Sequence, residues 1–382
     1  MKKLIFTAAT FLFTASAFTF DWGGSLGNIS KFEDTFSNDG LKLDQKNYAA
    51  LWGASPLGTK GSFTLSGRFQ REYLEETEDS INAVNLDSAK LSFRTGSLQF
   101  TLGRFDNSDL SSIVYSQSGD GAEFKFQNPG LAVSTYGFYT GLLNSQFITM
   151  NDPDYAADSE KLYDLCAKYL VAGLKVKFPS LFSEQTLSLE VFDANRLEGK
   201  AFNRLFAEAA LEGPLQFSDS LFYDLTAVLQ VSKYGTQNTK IAGLSKAGVY
   251  FYPGIKNSEI ALKALYATGT AKDEDAKNTA FSAITSKTAV RSLEGLEYSG
   301  IFTGGLSASI KPFKNLLLSA EAEAVFSTDE NKFKYSGLQY QASAGWHILS
   351  DIFAGVEFSQ YFDKENSDIN KTELSLKATV SF

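Results

Sequence analysis

The chain has 382 residues, a formal charge of −9, one His and one Cys. The acidic balance excludes a nucleic-acid binder, since no basic face could neutralise phosphates, and the single Cys166 excludes an intrachain disulfide framework. Mean hydropathy is only −0.14, yet the chain carries 33 Phe and 17 Tyr, a combination suited to strands that alternate apolar and polar residues. Met1-Lys2-Lys3, the apolar run Leu4 to Phe13 and Ala15-Ser16-Ala17 form a basic region, a short apolar region and an A-x-A site. That is a secretory signal peptide over residues 1–17, cut after Ala17. The run is shorter than the roughly 20 residues a spanning helix needs, and no Cys follows the site for lipid attachment. Without Lys2 and Lys3, 33 basic residues face 44 acidic ones, and the mature chain is near −11.

Strand patterns begin at once. Phe18, Phe20, Trp22, Gly24 and Leu26 alternate with polar or small residues, so that one set faces each side of a strand. Further runs cover Tyr48 to Ala54, Phe63 to Tyr73, Asn85 to Thr95, Leu98 to Arg104, Ala122 to Gln127, Leu131 to Thr140 and Leu170 to Phe178. The second half adds Thr186 to Asp193, Arg204 to Leu211, Leu221 to Ser232, Ile241 to Tyr252, Glu259 to Thr268 and Tyr298 to Ile310. Leu316 to Phe326, Leu338 to Ile348, Ile352 to Tyr361 and a terminal strand to Phe382 bring the expectation to about eighteen, with sixteen as the alternative count.

Connections sort into two kinds. Thr95-Gly96-Ser97, Asn128-Pro129-Gly130, Pro253-Gly254, Pro312 to Asn315 and Leu349-Ser350-Asp351 are short and rich in turn formers. Those between are longer and acidic, as at Glu75 to Asp79, Asn151 to Lys161, Lys272 to Lys277 and Asp363 to Asp368. Such sorting predicts an all-β, antiparallel, up-and-down transmembrane barrel over residues 18–382, with short periplasmic turns and long extracellular loops. No linker divides the chain, and a strand starting at Phe18 leaves no room for an N-terminal plug.

In the last strand Leu374, Leu376, Ala378, Val380 and Phe382 alternate with Glu373, Ser375, Lys377, Thr379 and Ser381. This ending resembles the C-terminal signature of outer-membrane β-barrels, a final strand closing on Phe. The resemblance implies outer-membrane lipid and the barrel assembly machinery as partners.

In such a barrel the polar face points into water. On that parity Thr64, Ser66, Arg68 and Gln70 face inward, as do Lys90, Ser92 and Arg94. A hairpin with its tip near Glu78 puts Arg68 close to Lys90. Lys175, Glu190, Glu208, Asp224, Lys246 and Lys263 follow, and Glu321 and Glu323 interrupt the run Leu316, Leu318, Ala320, Ala322 and Ala324. The wall is mixed in sign and gives no net ion preference.

Leu102-Gly103-Arg104-Phe105 ends a strand, Asp106 to Asp109 and a Ser-rich loop follow, and Asp120-Gly121 opens the next. The segment resembles the general porin pattern, in which a loop folds into the lumen between Gly-Arg-aromatic and Asp-Gly. The resemblance implies a constriction with Asp106 and Asp109 opposed to Arg68, Lys90, Arg94 and Arg104. Arg104 falls on the lipid-facing parity of Leu98, Phe100 and Leu102, so a bulge or the strand end must redirect it.

The sole His347 is expected near the periplasmic end of its strand beside Trp346, away from an outer rim where a hydrolase would place its histidine. No zinc-type His/Cys cluster exists, and Asp152, Asp154 and Asp158 lack the Gly and final Glu of an EF-hand. The reading is therefore a porin of the outer membrane, without cofactor or chemistry, for passive diffusion of small hydrophilic solutes or ions. An adhesin or receptor using the acidic loops is the alternative, and a hydrolase the third reading. The sequence leaves open whether the barrel forms a homo-oligomer.

Overall fold

A computed structural model of the chain describes residues 20–34, 41–75, 79–148, 150–155, 163–181, 184–215, 218–271, 279–285, 298–365 and 370–382. Residues 1–17, and most of the acidic stretches at 76–78, 156–162, 272–278 and 366–369, lie outside the described residues.

Eighteen strands form one sheet. They are β1 (Asp21–Asp34), β2 (Lys42–Leu57), β3 (Gly61–Leu74), β4 (Asp79–Thr95), β5 (Leu98–Ser108) and β6 (Ser116–Asn128). Next come β7 (Leu131–Tyr139), β8 (Tyr169–Phe178), β9 (Thr186–Arg196), β10 (Phe202–Pro214), β11 (Leu221–Tyr234) and β12 (Lys240–Phe251). The last six are β13 (Glu259–Ala267), β14 (Ile301–Phe313), β15 (Leu316–Ser327), β16 (Lys334–His347), β17 (Ile352–Asp363) and β18 (Lys371–Ser381). Each strand pairs antiparallel with its sequence neighbours, and β1 pairs with β18 from Ser25↔Ser381 to Asp34↔Thr372. At that seam the Gly24 N–H donates to the Phe382 carbonyl and the Phe382 N–H to the Gly24 carbonyl, both at 2.9 Å. Closure leaves no unpaired edge, the condition a sheet must meet in lipid.

All eighteen expected strands are present, but several start earlier. β2 begins at Lys42, β4 at Asp79 and β6 at Ser116. The added segments are polar. They extend beyond the apolar belt, where pairing continues but no lipid-facing alternation is required.

The outer face is apolar around the circumference. Leu51, Val84, Leu102, Leu174, Val191, Leu229, Leu262 and Leu306 are all exposed on it, Leu262 to 62%. In water each such side chain would forgo roughly 1.5–3 kcal/mol of burial, and patches this large call for an apolar surrounding. Aromatic residues flank the belt. Trp22, Phe93, Phe251, Trp346 and Phe382 stand toward the short turns, while Phe302 packs on Phe326 and Phe333 toward the long loops. Such paired girdles mark the two interfaces of a membrane barrel.

Candidate pore constriction

Two local devices shape the β3–β6 wall. Between β3 and β4 the register shifts, with Ser66 opposite Ser88 and Gly67 opposite Leu86. Asp87 is the extra residue, and the bulge aims its carboxylate at Arg68, 2.8 Å from Nη2. The shift also places Arg68 opposite Asn85 while Lys90 pairs with Thr64. With Leu74 opposite Asp79 the hairpin turns earlier in the chain than the expected tip near Glu78, so four strand positions, about 13 Å, separate two cations that were expected to lie close together.

The second device is Gly103, whose φ of 112° lies in the region closed to side chains. A Cβ there would strike the Ala89 carbonyl oxygen. The bend turns Arg104 away from lipid despite its parity, and the side chain is 7% exposed. Arg104 forms a two-point ion pair with Asp120, at 2.9 Å from Nε and 2.6 Å from Nη2. It also donates to the carbonyls of Leu86 at 3.1 Å and Leu142 at 3.0 Å. Arg104 thus ties the top of the β5–β6 hairpin to β4 and to the β7–β8 connection.

The loop 109–115 between β5 and β6 enters the lumen. Asp109 organises it from within. Its carboxylate accepts from the Tyr115 N–H at 2.7 Å, from the Ser111 N–H at 2.9 Å and from the Ser111 hydroxyl. At 3% exposure this carboxylate meets the backbone of its own loop rather than water. Asp106 accepts from the Ser118 hydroxyl at 2.5 Å and lines a depression of ≈450 Å³ with Gln117, Lys125 and Lys175.

Acids of the wall, not of the loop, hold the loop in place. Glu190 on β9 accepts from the Leu110 N–H at 2.9 Å and from the Tyr136 hydroxyl at 2.5 Å. Glu208 on β10 accepts from the Ser111 N–H at 3.2 Å. Lys175 on β8 donates to the Ser108 carbonyl and lies 3.4 Å from Glu190. Carboxylates that accept backbone N–H bonds in a dry setting make strong, directional anchors.

Two more connections join this loop inside the barrel. The Ile284 N–H donates to the Val114 carbonyl at 2.7 Å, and the Asn151 N–H to the Ile284 carbonyl at 2.7 Å. Residues 109–115, 150–155 and 279–285 so meet at Ile284. Val114, Tyr115, Leu143, Met150, Phe281 and Ile284 pack with Tyr136, Phe138, Tyr169, Phe192 and Phe206 of the wall in one buried cluster. Tyr115 sits 5.2 Å from Phe192, and Phe192 stacks on Phe206 at 4.9 Å. The lumen is therefore filled mainly against β7–β13, with Ile301, Val325 and Tyr361 of β14, β15 and β17 joining the same cluster.

The other arc keeps polar walls. Lys263 lies 3.4 Å from Glu321, Lys31 bridges Glu33 and Glu373 at 3.3 and 3.1 Å, and the Tyr48 hydroxyl meets Thr379 at 3.1 Å. Glu323 follows Glu321 on the same lumen-facing parity of β15. Arg94 stands at the short-turn mouth, in a depression of ≈520 Å³ with Lys60 and Gln99. Lys90 sits between Arg94 and the bulge.

His347 ends β16, its ring 5.2 Å from Phe353, and its carbonyl accepts from Asn315 at 3.0 Å. Asp152 pairs with Arg196 at 3.3 Å and Asp154 with Arg196 at 2.9 Å. Asp158 lies outside the described residues. The anchoring role of Glu190 and Glu208 is invisible in strand alternation, which marks them only as inward. The signal that could have found the inward loops is the apolar content of Leu110, Ile113, Val114 and Tyr115 in a connection otherwise rich in Ser, and of Phe281 to Ile284 in another.

Cys166 is 2% exposed, with its thiol turned to the Ile148 carbonyl at 3.3 Å. Burial and the neighbouring Asp164 push the thiol up to about 12. The reactive thiolate is then a fraction on the order of 10⁻⁴ or less at pH 7.5. An impermeant maleimide should leave the folded barrel unlabelled and label it fully after denaturation, as read by mass spectrometry. Rapid labelling of the native protein would show that the β7–β8 connection does not lie inside.

Solved structures share this architecture. OpdQ of Pseudomonas aeruginosa superposes with a TM-score of 0.64 at 10% identity, covering 95% of this chain and 99% of that one. The outer membrane protein OpdK of the same organism gives 0.60 at 12%, covering 95% and 99%. OccK2 (OpdF) of the same organism, solved with glucuronate, gives 0.63 at 11%, covering 95% and 96%. The fold is shared with these barrels. No family model matches the chain, and no curated protein matches it.

Proposed function

We propose that this chain is an outer-membrane porin through which small hydrophilic solutes or ions diffuse passively. The observation that carries the reading is the division of the lumen. Loops fill one arc, while β14–β18 and β1–β4 keep charged and hydroxylated side chains on their inner face. Barrels of about this strand number normally leave an aqueous channel, and an apolar outer face with a polar inner one suits passage of water-soluble molecules. The likeness to OpdK, an outer membrane protein, and to OccK2, which was solved with glucuronate, supports the same reading. On this reading residues 1–17 direct export, the strand ending at Phe382 is read by the assembly machinery, and no chemical step takes place.

The test is conductance of refolded protein in a planar bilayer, with stepwise ohmic events expected. Arg68→Glu combined with Arg94→Glu should move the reversal potential toward cations, because charges inside the lumen act within a screening length of about 8 Å on the permeating ion. Lys332→Glu, at an exposed site beside Glu330, should move it much less. Absence of steps would refute the porin reading. Steps unaffected by the double change would refute the lumen role of those two arginines alone.

A further inference from the structure

Arg204 on β10 is a buried cation with two guanidinium nitrogens lacking a hydrogen-bond partner among the described residues. It is fully buried, and a guanidinium cannot shed its proton to escape the cost. Nη1 donates to the Ala283 carbonyl at 3.1 Å, while Nε and Nη2 have no hydrogen-bond partner. Its charge rests over the rings of Phe202 at 4.5 Å and Tyr169 at 5.2 Å. The Tyr169 side chain and Asp152 act on it electrostatically, and Asp152 is itself engaged by the Tyr169 hydroxyl and by Arg196 at 3.3 Å. Ring faces and one carbonyl offset only part of the desolvation of such a cation.

On the lumen side Arg204 meets the segment 279–285 at the Ala283 carbonyl, and Phe281, Ala283 and Ile284 of that segment are between 0 and 2% exposed. It is held in the lumen by apolar packing and by hydrogen bonds without ion pairs: backbone ones from Phe281 N–H to Thr268, Ile284 N–H to Val114, Thr279 N–H to Ile241 and Asn151 N–H to Ile284, and side-chain ones from the Ser282 N–H to Gln230, from the Ser116 N–H to the Thr285 hydroxyl and from the Thr268 hydroxyl to the Thr279 carbonyl. All of these can be re-formed with water. Lifting the segment would let the guanidinium regain its hydration, a gain that an apolar side chain at position 204 could not supply.

We infer that Arg204 is the positioning residue of a lumen gate: it meets the segment 279–285 at the Ala283 carbonyl, and the net cost of burying its charge works against the docked packing and keeps it reversible. In the lifted state the guanidinium adds a positive charge to the inner wall, so the wider state favours anions more than the narrower one. The inference rests on the porin reading for its electrical consequence but not for the movement itself.

Two measurements separate the parts. Wild type should show two conductance levels, the larger with a reversal potential shifted toward anions. Arg204→Met keeps the bulk without the charge and should populate the larger level about tenfold less, since apolar replacement of a buried ion usually stabilises the closed packing. Arg204→Lys, which restores charge, should restore the larger level. Should Arg204→Met disturb folding, Val114→Cys with Ile284→Cys in a Cys166→Ser background should abolish the larger level until reductant is added. Hydrogen exchange at the Ile284 amide, read in liposomes without any current, should slow about tenfold in Arg204→Met. Two levels with equal occupancy in wild type and Arg204→Met, or unchanged exchange, would overturn the gate. A membrane without steps but with slowed exchange would leave the gate standing and remove the porin reading.

Discussion

Replacing Glu190 and Glu208 together with Ala is expected to raise single-channel conductance, because these two acids hold the 109–115 loop against the wall. Leu110 and Ser111 each donate a backbone N–H to them, and leaving a buried donor without its acceptor costs about 1–3 kcal/mol. Losing both removes roughly 2–6 kcal/mol of anchoring and leaves Tyr136 and Lys175 without their shared acceptor. The loop keeps its own ring, because Asp109 still binds the Tyr115 and Ser111 amides. It should therefore detach as a unit rather than unravel. Gln at both positions retains an acceptor oxygen and should give a smaller increase. The opposite design, Asp109→Ala, should loosen the ring while the wall contacts persist, producing noisier current at an unchanged mean. If Glu190→Ala with Glu208→Ala leaves both conductance and exchange of the Leu110 and Ser111 amides at wild-type values, apolar packing around Tyr115 and Phe192 is what fixes the loop.

The second large effect is expected at the seam. Phe382→Ser should lower the amount of heat-modifiable barrel inserted in the outer membrane several-fold while leaving the stability of the inserted fraction nearly unchanged. The backbone exchange between Phe382 and Gly24 does not depend on the side chain. The ring itself is 60% exposed and meets Trp22 edge-on at 6.5 Å, a contact that contributes about 1 kcal/mol. A small stability change with a large insertion defect would mean that the aromatic is recognised during assembly rather than required by the finished barrel. An equal loss in the urea midpoint and in insertion would assign the whole effect to seam packing, and normal insertion would remove the role altogether.

The barrel was legible in the sequence because lipid on one side and water on the other impose a period of two that no packing partner can override. Strand starts were legible only where that constraint acts. Lys42 to Asn47 and Ser116 to Gly121 pair with neighbours above the belt, where nothing marks them. The candidate constriction was legible in composition but not in arrangement. Asp106, Asp109, Arg68 and Arg104 could be named from alternation and from the Gly-Arg-aromatic segment. Their partners could not, since a one-residue bulge gave Asp87 to Arg68 and a positive φ at Gly103 gave Asp120 to Arg104. Such irregularities cost little locally and decide which charges meet. Glu190 and Glu208 were visible as inward acids, but what they hold is backbone, and backbone donors have no signature in side-chain identity.

The apolar cluster inside the lumen has a consequence for the chain before the barrel exists. In β8, Tyr169 and Val171 join the inner cluster while Leu170, Ala172 and Leu174 face out, and β9 and β10 repeat the arrangement with Phe192 and Phe206 opposite Val191 and Leu205. These strands are apolar on both faces, unlike β15 to β18. As unpaired segments in water they are the part of the chain most prone to stack with copies of themselves. Lys175, Glu190, Arg204 and Glu208 interrupt those runs, and buried or interspersed charge is what natural strands use against aggregation. The side chains that organise the loops of the closed barrel are thus the same ones that keep its unfinished strands apart.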